Sequence, residues 1–374
     1  MKIALMSGAY VNAGDFLIVK RCQELLYNQY PDCQIRTILR KVKLTEKAIK
    51  DINSSDVLVL AGGPLYLWNM YPQIMPLTDD LAKIKVPIFA MACGQRLFDC
   101  EDHNIFNNSF TPATRRLLDR IALDGFPFGC RDVIAAQLLQ SMGYQNVIIT
   151  GCAAWYNLQE NNIGKRKDFS SEIQHICVSD CDALRNSNGV KRLENHAIND
   201  MKSIIQLLMH RYPKADLRVV FHRDMTSAHK KLTGWLSNNN IEFHSINGSA
   251  DGFSIYNSCD LHVGFRVHAH IYNLSLHTRS ILISEDARGC GVNQTLGLPV
   301  IKCYDSRDYI SDNKTVERII KKIGRNNPFV VKQVENNIKL FEQDNWEQFN
   351  WAFERMDFYY DNMVRHIGAL GLLP

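Results

Sequence analysis

The chain of 374 residues carries 46% apolar and 22% charged side chains, enough for two hydrophobic cores, because single cores stop growing below this length. Its 43 basic and 39 acidic residues leave a formal charge of +4, too balanced for the basic footprint with which a duplex binder neutralises phosphates, so nucleic acid is not expected as a partner. The longest apolar stretch, Val86–Cys93, falls short of the ~20 residues of a membrane span, and no basic tail leads a signal-type core; a cytoplasmic protein without a membrane span is expected, which leaves room for peripheral association.

In chain order, short apolar strands alternate with longer periodic helices, the pattern of a parallel sheet covered on both faces. Strands are predicted at Ile3–Ser7, Gln34–Leu39, Asp56–Ala61, Pro87–Ala92, Phe126–Cys130 and Asn146–Thr150. A helix is predicted from Asp15, as N-cap, to about Tyr30, and another over Asp132–Met142. The composition turns polar between Trp155 and Asp168, as in a linker.

The alternation then repeats, with strands at His175–Ser179, Asp216–Phe221, Ile241–His244, Asp260–Gly264 and Ser280–Ile283, and helices near Asn195–Arg211, Ser227–Asn238, Val267–Ser275 and Thr315–Ile323. Cys177 and Cys181 beside His175 lack the spacing and the partner pair of a zinc site, and the eleven cysteines, odd in number and irregularly spaced, read as reduced thiols. After Pro328, a segment rich in aromatic residues (Phe341, Trp346, Phe349, Trp351, Phe353, Phe358, Tyr359) shows helical spacing and needs a surface to cover, and a return onto the first domain is the economical solution. The expected architecture is α/β, with two Rossmann-like domains facing a cleft: 1–154 with the C-terminal helices 330–374, and 169–329.

Ligands of open parallel sheets bind outside the carboxyl ends of the strands, so the loops there are the candidate sites. The first holds Gly8, Asn12, Gly14 and Asp15, but GxGxxG is missing and the second strand ends Ile-Leu-Arg40 without an acid, which disfavours a nicotinamide cofactor. The third strand leads to Gly62-Gly63-Pro64 and then Tyr66, Trp68 and Tyr71, aromatic faces that stack on sugars or pack in a core. Arg131, between a strand and a helix, suits a carboxylate or phosphate, or else pairs with Asp132 at the surface. Arg266 and His268 follow the strand Asp260–Gly264, and the unperturbed pKa of His268 suits proton transfer at neutral pH; the alternative for His262 and His270, and for His268 taken alone, is a hydrogen-bonded core histidine.

Taken together, Asn12-x-Gly14-Asp15, Gly62-Gly63, Cys130-Arg131-Asp132 and Arg266-x-His268-Ala269, in this order and followed by a Leu-Gly-Leu stretch, resemble the polysaccharide pyruvyl transferase family from the first strand to Pro299. Two positions depart from the family pattern: Pro64 stands where a third glycine is common, and Arg288, after Asp286-Ala287, stands where a lysine is common.

The resemblance implies a two-domain GT-B-like fold and transfer of a pyruvyl group from phosphoenolpyruvate, as co-substrate and with no cofactor or metal, to sugar hydroxyls of a cell-surface polysaccharide or lipid-linked precursor, forming a ketal. It implies His268 as catalytic acid with Arg131 on the donor anion, and donor contacts from Arg266, Val267, Arg288, Asn12 and Asp15. The acceptor falls to Gly62, Gly63, Tyr66 and Trp68. The alternatives are a GT-B-type glycosyltransferase using a nucleotide sugar and a non-catalytic glycan-binding relative.

Overall fold

The structure, a computed structural model, describes residues 1–95, 97, 110–181, 191–222, 225–303 and 327–373. It divides into two compact units, Met1–Gly164 with Glu354–Pro374, and Lys165–Phe353.

The first unit is built on six parallel strands, β1 (Lys2–Ser7), β2 (Gln34–Leu39), β3 (Val57–Tyr66), β4 (Ile88–Gln95), β5 (Phe128–Cys130) and β6 (Val147–Ile149), in the order β2-β1-β3-β4-β5-β6. The registers Ile3↔Val57 and Leu58↔Ile88 bring the most apolar strands to the centre, where β4 is buried along its whole length. Short polar residues start the helices: Asn12 caps α1 (Ala13–Gln29), Thr45 caps α2 (Glu46–Asn53), Thr111 followed by Pro112 starts α3 (Pro112–Leu123), and Asp132 caps α4 (Val133–Ser141). Asp15, expected as the cap of α1, is instead its third residue, because the Asn12 side chain already accepts the Gly14 N–H at 3.3 Å. Leu58, Leu60, Ile88, Leu117, Phe128 and Leu139 belong to one buried cluster.

The second unit repeats the plan with β7 (His175–Ser179), β8 (Asp216–Phe221), β9 (Glu242–Ser245), β10 (Leu261–Gly264), β11 (Arg279–Ser284) and β12 (Ile301–Lys302). Their order is β12-β11-β10-β7-β8-β9, so that in the unit's own count it is 3-2-1-4-5-6, the order of dinucleotide-binding sheets. Its helices are α5 (Lys191–Arg211), α6 (Ser227–Asn238), α7 (Val267–Ser275) and α8 (Ala287–Leu296). The helix expected at Thr315–Ile323 lies outside the described residues. None of the ten described cysteines forms a disulfide, and nine of them are buried.

The C-terminal helices are shared between the units, which narrows the expected return of 330–374 to Glu354–Pro374. The helix α9 (Val330–Gln343) stays on the second unit, where Glu342 accepts from Arg211 Nε at 3.0 Å and from the Tyr212 hydroxyl at 2.7 Å. Phe349 and Phe353, in the first turns of α10 (Glu347–Gly368), each pack 6.3 Å from Phe169, and His277 stacks on Phe353 at 4.0 Å. The same helix then serves the first unit: Asn362 donates to the Ile149 carbonyl (2.9 Å), and His366 donates to that of Ala90 (2.9 Å) while stacking on Phe89 (4.2 Å). Among the described residues no helix is long and apolar enough to cross a membrane.

Candidate active site

In the second unit the strand order reverses between β7 and β10, and the crevice outside their carboxyl ends is where such sheets bind ligands. Ser179 and Gly264 are register partners there, and a Cβ on Gly264 would lie 2.3 Å from the Ser179 hydroxyl, so the two strand ends meet only because this residue is glycine. The hydroxyl accepts the Arg266 N–H at 3.1 Å and bonds His262 Nε2 at 2.9 Å.

The next residue, Asp180, is fully buried and organises this edge. It accepts from Arg266 through Nε (2.7 Å) and Nη2 (2.6 Å), from the His222 N–H (3.1 Å), and lies 3.2 Å from His229 Nε2. Burial pushes its carboxyl up, but the Arg266 charge and hydrogen bonds, with His229, outweigh burial and hold it well below the usual carboxylate range. Arg266 is thereby fixed as the N-cap of α7, with Val267 and His268 half-buried in the first turn.

His262 and His270 are core residues: both ring Nδ1 atoms lie 2.8 Å from the Ser280 hydroxyl, and burial pulls His262 well below the ordinary histidine value and His270 down to about 3. Both are neutral at pH 7.

Arg288 stands in the first turn of α8, one strand further along the sheet. The capping residue Asp286 accepts its backbone N–H (3.0 Å) and holds its side chain through Nε (2.9 Å) and Nη2 (2.7 Å). A bidentate carboxylate fixes the direction of a guanidinium fork, so this pairing orients Arg288.

In the first unit the order reverses between β1 and β3, and the glycine pair belongs to this crevice. β3 runs on through Gly62 (φ +51°) and Gly63 (φ +70°) to Tyr66, where a loop after Ala61 was expected; left-handed geometry inside a strand is open to glycine and strained for other residues. A residue missed in the sequence, Arg40, lies against both β1 and β3: a Cβ on Gly8 would be 2.6 Å from its Cζ, and one on Gly63 would be 3.2 Å from its Nη1. Burial lowers the Arg40 pKa, opposed by the carboxylate of Asp15.

Arg131 is buried and not at the surface, with Nε 2.9 Å and Nη2 2.8 Å from Asp132 Oδ2. Tyr66 is corrected from acceptor platform to core: its ring is fully buried beside Phe128 and its hydroxyl donates to the Gly129 carbonyl at 3.1 Å. Trp68, at 59% exposure, is the aromatic of that segment that stays open to solvent. Among the described residues no group of three or more His, Cys, Asp and Glu side chains is placed to hold a metal ion.

No curated protein matches the chain in sequence with significance. Among solved structures, the S. aureus MnaA–UDP co-structure is 12% identical over 91% of this chain and 97% of that one, with a TM-score of 0.46. Similar in arrangement are UDP-GlcNAc 2-epimerase from Methanocaldococcus jannaschii in complex with UDP-GlcNAc and UDP (12% identity, 91% and 100% coverage, TM-score 0.45) and the wall teichoic acid polymerase TagF (12%, 98% and 89%, 0.44). The model of one sequence family spans residues 12–287, from the cap of α1 through both crevices to the start of α8, and on that match the chain belongs to the polysaccharide pyruvyl transferase family.

Proposed function

We propose that the protein transfers the three-carbon unit of phosphoenolpyruvate to two hydroxyls of a sugar in a surface glycan or its lipid-linked precursor, closing a cyclic ketal. C3 of the enol takes a proton, one hydroxyl oxygen adds at C2, and the C2–O bond to phosphate breaks with its electron pair leaving on phosphate. The second hydroxyl then closes the ring, and the two hydroxyl protons are released, one to the departing phosphate and the other to restore the group that protonated C3. No redox step is involved.

His268 is assigned as the proton donor to C3. Arg266, oriented by Asp180, and Arg288, oriented by Asp286, neutralise the carboxylate and phosphate of the donor beside the N–H groups that open α7 and α8. The acceptor is assigned to the first unit, with Gly62, Gly63 and the exposed Trp68. The observation that carries this reading is the run Arg266-Val267-His268 opening α7 at the reversal point of the second sheet, inside the span of the family match. That none of the ten described cysteines forms a disulfide supports a cytoplasmic assignment.

Incubating the protein with phosphoenolpyruvate and candidate glycans should release phosphate and add a pyruvyl group detectable by mass spectrometry. Phosphate release or glycan modification driven by a nucleotide sugar in place of phosphoenolpyruvate would replace this reading with glycosyl transfer.

A further inference from the structure

Arg40 follows β2 and lays its guanidinium over the carboxyl ends of β1 and β3, against Gly8 and Gly63. It is 7% exposed, and its Nε has no hydrogen-bond partner among the described residues. A buried cation with an unsatisfied donor is costly to maintain; the buried Arg21 and Arg279 also have an unbonded Nε, but another nitrogen of Arg21 bonds Glu24 and one of Arg279 bonds the Phe169 and Ser171 carbonyls, whereas among the described residues no side-chain hydrogen bond holds the Arg40 guanidinium. The carboxylate of Asp15 acts on Arg40 from the first turn of α1, but it leaves Nε unbonded.

Three features converge on this group. It stands at the order reversal of the sheet, where a crevice opens between β1 and β3. The backbone facing it is bare, since side chains on Gly8 or Gly63 would crowd the guanidinium. Gly8 also lines a neighbouring cavity of about 230 Å³ with Tyr10, Leu39 and Lys41, in which the Lys41 ammonium lies 5.9 Å from the ring centre of the exposed Tyr10.

We propose that Arg40 is the oxyanion subsite of the acceptor: the sugar that receives the pyruvyl group carries an acidic substituent, a phosphate or a carboxylate, which occupies this crevice. The inference rests on the assignment of the acceptor to the first unit. A guanidinium donates to either group bidentately, and a preformed, desolvated fork discriminates against a neutral sugar, which cannot pair it.

The test is calorimetric titration of the full chain with glucose, glucose 1-phosphate, glucuronic acid and inorganic phosphate, without phosphoenolpyruvate. At least one acidic sugar should bind tenfold or more tighter than glucose; the preference should vanish in Arg40→Gln, fall to an intermediate level in Arg40→Lys and survive in Lys41→Gln. The phosphate and carboxylate arms tell which acid is taken, and inorganic phosphate tells whether the acid alone suffices. Equal binding of neutral and acidic sugars overturns the proposal, as does no acidic binding up to about 10 mM or a preference that depends on Lys41. Should Arg40→Gln fail to fold, an unchanged preference in Arg40→Lys has the same force. A parallel titration with phosphoenolpyruvate in which Arg40→Gln loses the donor and keeps the acidic sugar would reassign the subsite to the donor. Because no turnover is measured, failure here leaves pyruvyl transfer standing, and failure of transfer leaves this binding result intact.

Discussion

Arg266 and Asp180 lie 86 residues apart in sequence and share two hydrogen bonds of 2.7 and 2.6 Å at the point where the second sheet reverses its order. The carboxylate is fully buried, so an amide in its place removes the charge and leaves the guanidinium, His229 and the His222 N–H one acceptor oxygen to share. Asp180→Asn should destabilise the protein by about 3–5 kcal/mol, the cost of breaking a buried pair, and weaken phosphoenolpyruvate binding through misplacement of Arg266. Urea unfolding and donor titration measure the two effects, and a variant as stable and as tight-binding as the wild type would rule out this role.

The roles proposed for His268, proton donation, and for Arg288, charge neutralisation, are separable by kinetics. His268→Ala should lower kcat by about 10²–10⁴-fold, the range of general acid catalysis, with donor affinity little changed. Arg288→Ala should raise the donor Kd by roughly tenfold or more, about 1.4 kcal/mol, and Arg288→Lys by less. Full turnover by His268→Ala refutes the acid assignment, and unaltered donor binding in Arg288→Ala removes that residue from the donor site.

The aromatic segment after β3 makes a contrasting pair. Tyr66→Phe removes a buried hydroxyl from the Gly129 carbonyl and should cost about 1–3 kcal/mol of stability with no change in acceptor KM. Trp68→Ala should leave stability within about 0.5 kcal/mol, as exposed substitutions do, and raise acceptor KM. Thermal melts and steady-state kinetics on the two variants decide, and a KM effect confined to Tyr66→Phe would invert the assignment.

Stability should fall on mild acidification. Burial, opposed by the Ala90 carbonyl, lowers His366 from its ordinary 6.5 to about 4, and burial brings His277 to about 4 as well. Each binds fewer protons folded than unfolded, so its contribution is whole above pH 6.5 and is lost as pH falls toward 4, for His366 amounting to roughly 3 kcal/mol. Urea midpoints between pH 7.5 and 4 should decline accordingly, and His366→Gln, which keeps a donor for Ala90, should flatten part of that slope. An identical slope in the variant would exclude His366 as a source.

Local pattern alone located much of this fold. β2, β7, β8, α6 and α7 have the expected limits, because apolar alternation and helical spacing are properties of neighbouring residues. The run Arg266-Val267-His268 was legible for the same reason. Asp180 was not: it follows a strand like many loop residues, and only the adjacency of β7 and β10 brings Arg266 to it. Arg40 registered merely as the missing acid of a dinucleotide site, since nothing in Ile-Leu-Arg40 tells that the chain folds Gly8 and Gly63 against it. The Gly62-Gly63 pair read as the end of β3 because glycine doublets ordinarily mark turns; here the strand pairs onward with β4 through Cys93 and Gly94.

The shared helix α10 has a consequence for biosynthesis. Its first turns belong to the contiguous unit Lys165–Phe353, while Asn362 and His366 complete a sheet whose strands all lie before residue 150. Domains emerging from the ribosome normally fold in the order in which they are made, but here the earlier-made unit must wait, its β4 and β6 carbonyls uncapped, until the second has been synthesised in full. A nascent chain stopped before Glu354 has every residue of the second unit and an unfinished first one, so the N-terminal half of this protein is the last to be completed.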